Sequence, residues 1–327
     1  MRRLFVLLPL LAVAIGLLAS PAPARAQAAP LLMGAPLTHL VVITPDIEKT
    51  AKGYGDIFGI PAPVAQKAEY ELPNGKKEKA KVAYVPMPNF YIALVQPTGK
   101  GPMRDHLKKF GLGLWALGVG KDSDIDAVRA ELESKGGTWT GGKKGGTFAW
   151  VDFRNTPLGA TIIVGPTARP AMPAAPAQQS SLFGGLPINH IGFANTDAAA
   201  SAKKIVEIFG MKPVEPRRFP PKGAFPYPPN MWTTDPERHV LTAMMFQNKI
   251  GLEVIQGVGD PNPWSHQIKM QKGISLMHIA VGRGKMAREE WLKMGQAKGG
   301  KWTNGGPPPE GSFAYLDWTE TLGIVIE

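Results

Sequence analysis

The chain has 327 residues, and 37 lysines and arginines outweigh 26 aspartates and glutamates to give a formal charge of +11. It contains no cysteine, which excludes a disulfide framework, a thiolate nucleophile and a lipid-modified cysteine. The lysines are scattered through turns such as Gly75-Lys76-Lys77 and Gly142-Lys143-Lys144, with no stripe alternating with aromatics. That pattern is a solvated surface and argues against nucleic acid as a partner, while still favouring anionic small molecules.

Residues 1–26 read as an export signal. Arg2 and Arg3 precede an apolar run from Leu4 to Leu18, and Ala24-Arg25-Ala26 is a small-x-small cleavage site. The run is shorter than the about 20 residues a bilayer span needs. The expected mature protein is secreted or periplasmic and touches no membrane after cleavage. Loss of Arg2, Arg3 and Arg25 takes the charge from +11 to +8. About 300 residues remain, enough for two ordinary domains.

The rest of the chain repeats itself. Thr38-His39-Leu40-Val41-Val42 answers to Asn189-His190-Ile191-Gly192-Phe193, and the same offset of 151 carries Asp46 to Asp197 and Ile57-Phe58-Gly59 to Ile208-Phe209-Gly210. A second pair of segments aligns at an offset of 163, taking Trp115 to His278, Gly136-Gly137 to Gly299-Gly300 and Trp139 to Trp302. Phe148-Ala149-Trp150-Val151-Asp152 then matches Phe313-Ala314-Tyr315-Leu316-Asp317. The order is A-B-A′-B′, with a Pro-, Ala- and Gln-rich linker from Pro166 to Gln179 between the halves.

Each unit opens with a β-rich run and continues into a helix. In the first, Thr44 is positioned to cap a helix with Pro45 at its first turn; Ile47, Ala51, Tyr54 and Phe58 form the apolar stripe, and Gly59 ends it. In the second, Asp124 caps, Ile125, Val128 and Leu132 share a face, and Gly136 stops the helix. Strand pairs follow, Val82–Val85 with Phe90–Val95 across Pro88-Asn89, and Leu241–Phe246 with Ile250–Ile255 across Asn248-Lys249.

A βαβββ unit that opens with His-apolar-apolar and is used in pairs resembles the vicinal oxygen chelate superfamily, which includes glyoxalase I, methylmalonyl-CoA epimerase, extradiol dioxygenases and antibiotic-resistance proteins. The resemblance covers nearly the whole mature chain. It implies an α+β fold in which four modules pair into two cup-shaped mixed-sheet domains: residues 34–166, a linker over 167–185, and residues 186–327. It also implies ligands to a divalent metal on the first and last strands of each unit.

In the second half those positions hold His190, Glu253, His278 and Glu327, the last within Gly323-Ile324-Val325-Ile326-Glu327. Two imidazoles and two carboxylates suit Zn, Ni, Co, Mn or Fe(II). Side-chain alternation supplies an independent check. The face carrying His190 also carries Gly192 and Ala194; Gly251 neighbours Glu253, Ala280 neighbours His278, and Val325 and Gly323 neighbour Glu327. The other face carries Ile191, Phe193, Leu252, Val254, Ile279, Val281, Ile324 and Ile326. One face has room for a ligand, and the other makes core. In the first half the four positions read His39, Ala93, Trp115 and Ile163, with Val41, Ile43, Tyr91, Val95 and Leu117 beside them. That cup is expected to be filled with bulk and to lack ligands, leaving His39 as a hydrogen-bonded buried histidine and the domain as structural.

The resemblance implies a glyoxalase-like lyase or isomerase, with metal-stabilised enediolate chemistry on a small oxygen-chelating substrate and Glu327, then Glu253, as the proton-moving base. A ring-cleaving Fe(II) extradiol dioxygenase, with Tyr315 near the substrate, and a non-catalytic binder are the alternatives. The third unit is nine residues longer than the first (His190 to Gln256 spans 66 positions, His39 to Gln96 spans 57). The longer segment holds Arg217, Arg218, Phe219, Phe225, Tyr227 and Trp232, which reads either as a lid whose arginines grip an anionic substrate or as a surface loop. His239 and His266 read as surface histidines. A small-molecule substrate is the expected partner, and pairing into a homodimer stays open.

Overall fold

The computed structural model describes residues 29–176, 181–219, 239–259, 262–270, 275–282, 284, 286–305 and 313–327. The segment 1–26, expected to be an export signal, and the residues Phe225, Tyr227 and Trp232 lie outside the described residues. Among those described, no helix is long and apolar enough to cross a membrane.

Four βαβββ modules follow one another. The first comprises β1 (Leu37–Ile43), α1 (Ile47–Phe58), β2 (Gln66–Glu71), β3 (Lys77–Pro86) and β4 (Tyr91–Pro97). After α2 (Pro102–Phe110) comes the second, β5 (Gly113–Gly120), α3 (Ile125–Ser134), β6 (Thr138–Gly141), β7 (Ala149–Asp152) and β8 (Thr161–Gly165). The third holds β9 (Ile188–Ala194), α4 (Ala198–Phe209), β10 (Arg217–Phe219), β11 (His239–Gln247) and β12 (Ile250–Val258). After α5 (Pro263–Met270) the fourth holds β13 (Leu276–Val281), α6 (Arg288–Ala297), β14 (Lys301–Gly305), β15 (Ala314–Asp317) and β16 (Val325–Ile326).

Modules pair within each half. One eight-stranded sheet runs β2-β3-β4-β1-β5-β8-β7-β6, and the other runs β10-β11-β12-β9-β13-β16-β15-β14. In each, the opening strands of the two modules lie side by side and antiparallel, and each pairs in parallel with the last strand of its own module. The fold is therefore α+β, with two mixed cup-forming sheets.

The helix starts differ from the sequence expectation. Asp46, not Thr44, caps α1, its carboxylate accepting the Lys49 N–H at 3.0 Å; Asp197 does the same for Ala200 at 2.9 Å. The Thr44 hydroxyl is engaged earlier in the turn, accepting the Asp46 N–H and meeting the Thr50 hydroxyl at 2.7 Å. Asp124 stands at the N-cap of α3 without a side-chain bond to the helix, because its carboxylate instead accepts the Ser123 hydroxyl.

The helix-bearing faces of both sheets share one apolar core. Phe183, from the end of the linker, is fully buried and meets Phe58, Trp291 and Trp318 with ring centroids 5.5–5.8 Å apart. Polar ties cross the same boundary. The Tyr54 hydroxyl donates to the Leu322 carbonyl at 3.1 Å, and the Asn89 amide pairs both ways with the Ile188 backbone at 2.9 Å.

Candidate metal centre

The second sheet brings its four singled-out side chains together through register alone. In β12 and β9, Gly251 lies beside His190 and Glu253 beside Gly192. In β13, His278 lies beside Gly192 and Ala280 beside His190. Glu327 follows β16 and continues its ladder: its N–H donates to the Ile279 carbonyl and its carbonyl accepts the Val281 N–H, each at 2.9 Å. The residue next to Glu253 and the residue next to His278 are the same glycine, so both ligands converge over a position without a side chain. A Cβ built on Gly192 would fall 1.7 Å from the His278 Cε1 atom.

His190, Glu253, His278 and Glu327 each offer one ligand atom, and the four atoms lie within 4.8 Å of one another. His190 Nε2 is 3.3 Å from Glu253 Oε2 and 2.9 Å from Glu327 Oε2; His278 Nε2 is 3.5 and 3.3 Å from the same atoms. The two Nε2 atoms are 3.2 Å apart. Ligands about 2.0–2.1 Å from one ion in a tetrahedron stand about 3.3–3.4 Å apart, and neighbouring octahedral ligands slightly closer. The five spacings that involve an imidazole nitrogen, 2.9–3.5 Å, lie around those values.

The polar atoms test the fit further. Both Oε2 atoms are buried without a hydrogen-bond partner, although imidazole nitrogens lie close by, because the lone pairs converge on a shared centre instead of on one another's protons. Buried carboxylate oxygens left in that state cost free energy that a cation removes. Outer contacts fix the donors. Asn189 Oδ1 lies 3.0 Å from His190 Nδ1, where it accepts that N–H and leaves Nε2 bare toward the centre. The Thr242 hydroxyl donates to Glu253 Oε1 at 2.9 Å and leaves Oε2 for the centre. The residues present fit a divalent ion with nitrogen and oxygen ligands.

Electrostatics reinforce this. Burial by itself would depress both histidines, but the close carboxylates of Glu253 and Glu327 outweigh it, raising His278 and carrying His190 up to about 9. Burial would raise the two carboxyls, yet the imidazoles hold both below the ordinary carboxylate range. Without metal, then, the cluster takes up protons where the ion would sit.

The remaining candidates divide. Tyr315 lies in the cup, its ring perpendicular to that of His278 at 5.1 Å and to that of Trp264 at 6.0 Å. Arg217 pairs with Thr242 and shares its cup-side face, where it is exposed. Arg218 does not accompany it. It alternates to the other face, opposite Leu241, and its guanidinium meets His239 Nδ1 at 3.0 Å. The expectation that both arginines grip one substrate group is corrected on that point, since strand alternation sends them to opposite sides. His266 is exposed on α5. Sequence reasoning missed Thr242 and Asn189. Thr242 was findable, because the two-residue turn Asn248-Lys249 pairs Gln247 with Ile250 and so sets Thr242 on the face of Glu253.

The first cup needs two corrections. Ladder register makes Ala116, not Trp115, the counterpart of His278, because Ala116 pairs with Val41 as His278 pairs with Gly192. The offset of 163 holds for the helices, but the opening strands β5 and β13 align at 162. Leu117 accordingly packs in the helix-side core. The bulky residues also do not plug the cup: they line a cavity of about 360 Å³. The absence of ligands stands, with Ala93, Ala116 and Ile163 at the three other positions. Half-buried His39 contacts the Thr38 hydroxyl at 2.9 Å and stacks on Tyr91 at 4.7 Å.

Comparison with known proteins agrees with the fold. The sequence pattern of the Glyoxalase/Bleomycin resistance protein/Dioxygenase superfamily matches residues 38–150. A mutant of 4-hydroxymandelate synthase from Streptomyces coelicolor superposes with a TM-score of 0.53 at 11% identity, covering 84% of this chain and 77% of that one. A xylose isomerase-like TIM barrel/4-hydroxyphenylpyruvate dioxygenase fusion protein gives 0.49 at 11% identity over 86% of this chain and 42% of its own. Methylmalonyl-CoA epimerase from Mycobacterium tuberculosis gives 0.30 at 18% identity over 44% of this chain and 95% of its own. No curated protein sequence matches. Residues 38–150 thus match that superfamily's pattern, and the chain has the vicinal oxygen chelate fold in a tandem form, with four modules in two sheets.

Proposed function

We propose that the second cup is a metal-dependent active site of the glyoxalase-like lyase or isomerase kind, acting on a small substrate that presents two neighbouring oxygens. The observation that carries this reading is the fourth ligand. Glu253 Oε2 stands with the other three donors, so four protein atoms face the centre. His190, Glu253, His278 and Glu327 would hold a divalent ion, which would then present itself to two neighbouring oxygens of a substrate.

A bound divalent ion supplies Lewis acidity, polarising a substrate carbonyl and lowering the cost of the enediolate left when an α-proton departs. The residues do the rest. Glu253 is held by Thr242 and stays in place as an anchor. The Glu327 side chain has no such outer hydrogen bond among the described residues, so it is the carboxylate suited to leave the centre and carry the proton. Tyr315 and Trp264 line the cup with apolar surface.

Solvent-deuterium exchange into small 2-hydroxycarbonyl compounds, followed by NMR with Zn, Ni, Co or Mn supplied in turn, tests the reading. Metal-dependent α-proton exchange that disappears in Glu327→Gln is expected. Oxygen uptake with iron alone, and no exchange with any metal, would replace it with the second reading, a dioxygenase in which His190, His278 and Glu327 hold Fe(II) while Glu253 stays with Thr242. Tight retention of a small molecule by metal-free protein would favour the binder. We further place the protein outside the cytoplasm on the strength of residues 1–26, and a mature N-terminus found just after Ala26 in an extracytoplasmic fraction is the matching result.

A further inference from the structure

We propose that the first cup, although without metal ligands, is a second binding site that takes one neutral, flat aromatic molecule carrying hydrogen-bond acceptors. The site is independent of the metal centre.

The cavity of about 360 Å³ is at the small end of the range for ligand sites, the size for a guest of one to two rings. Six aromatic side chains contribute to its wall, namely Tyr70, Tyr84, Tyr91, Trp115, Phe148 and Trp150. Several meet edge to face, as Trp115 does with Trp150 (5.1 Å, 88°) and Tyr84 with Tyr91 (5.7 Å, 83°). A wall of rings in crossed orientations lets a planar guest stack on one ring while meeting the edge of another.

Polar groups in the wall are unspent. The hydroxyls of Tyr70, Tyr84 and Tyr91 make no hydrogen bond among the described residues, and burial raises all three above the ordinary tyrosine range, so they remain O–H donors. The Trp115 indole N–H is buried without an acceptor. An excess of donors calls for acceptors on the guest.

Charge selects against ions. Among the described residues no lysine or arginine lines the cavity, and the one carboxylate that does, Glu69, already pairs with Lys77 at 3.1 Å and Lys79 at 4.0 Å. Burial lowers His39 to about 4 and keeps it neutral. The linker closes one side. Pro166, Ala168 and Pro170 line the cavity, while the Arg169 guanidinium donates to the Met87 and Pro88 carbonyls at 2.9 and 3.0 Å. That strap is already fastened, so binding need not order it.

The test uses 7-ethoxycoumarin, a neutral two-ring probe with carbonyl and ether acceptors, titrated into the full chain with binding read by fluorescence and calorimetry. One saturable site is expected. Ala93→Phe, which places a ring in the cavity, should weaken binding at least about tenfold, and the milder Tyr84→Phe about threefold or more. Both variants are checked for native circular dichroism, and Tyr84→Phe decides the matter if Ala93→Phe misfolds. His278→Ala should leave the affinity within about twofold, since the metal centre is elsewhere. The absence of saturable binding would overturn the proposal, as would binding abolished by His278→Ala but indifferent to Tyr84→Phe. Tighter binding of coumarin-3-carboxylate, lost in Ala93→Phe, would overturn the neutrality of the guest.

Discussion

Gly192 occupies the point where two strands deliver ligands, and its value lies in what it lacks. Gly192→Ala would drive a methyl into the His278 ring. Overpacking of that kind costs about 1–3 kcal/mol, and the ring can escape only by leaving the centre. Metal-competition titration should show affinity falling by more than stability does. Thr242→Val, which removes the donor that orients Glu253, should weaken metal binding about tenfold with little change in melting temperature. The pH dependence also belongs to single residues. In metal-free protein His190 is raised from 6.5 to about 9, so its contribution to stability is fully present below 6.5 and is lost as pH rises through 9. The ion and the proton compete, so the sign reverses for binding: metal affinity should climb with pH toward 9. Calorimetry at pH 7 in buffers of different ionisation enthalpy should therefore record release of about one proton or more. Uptake, or no exchange, would contradict a protonated metal-free cluster.

Elements rather than residues set the two cups apart. β9 and β1 have the same length and neighbours, yet β9 offers Gly192 where β1 offers Val41, and β12 offers Glu253 where β4 offers Ala93. One strand set brings four donor atoms together, while its counterpart surrounds a cavity with rings. The bulges in β5 and β13 matter as well. Each shifts the ladder by a residue, so Trp115 and Met277 reach the cup beside Ala116 and His278. α1 and α4 start alike, and Asp197→Ala should destabilise the protein by about 1 kcal/mol on chemical denaturation, while Asp124→Ala, which loses no cap bond, should cost clearly less.

At the scale of the whole molecule the two halves are joined by more than a tether. Phe183 and Trp291 are buried where α1, α6 and the linker end meet, within a core continuous across both sheets. Trp291→Ala should cost about 3–5 kcal/mol. Scanning calorimetry of the intact protein should then show one transition, shifted as a whole by added metal. Two separate transitions, only one of them metal-sensitive, would mean that the halves fold independently.

Repeats made the modules and their pairing readable, the family resemblance implied the four ligand positions, and period-two alternation checked them, because a strand's faces follow from residue parity. Ile191, Phe193, Leu252 and Ile279 do lie in the helix-side core as that parity requires. Alignment by offset fails where one half gains a residue: α6 begins ten positions after His278 but α3 only nine after Ala116, so the offset of the helices sets Trp115 against His278. Composition fails at the linker too, since a Pro- and Ala-rich run reads as a spacer although it ends in buried Leu182 and Phe183. The order of the chain thus determined which residues face which way. Only the tertiary structure decided that four donor atoms from four strands come within 4.8 Å, that Arg218 turns away, and that aromatic bulk leaves the first cup hollow. Distance across a sheet and the space between rings depend on register and packing among segments far apart in sequence, which no local pattern records.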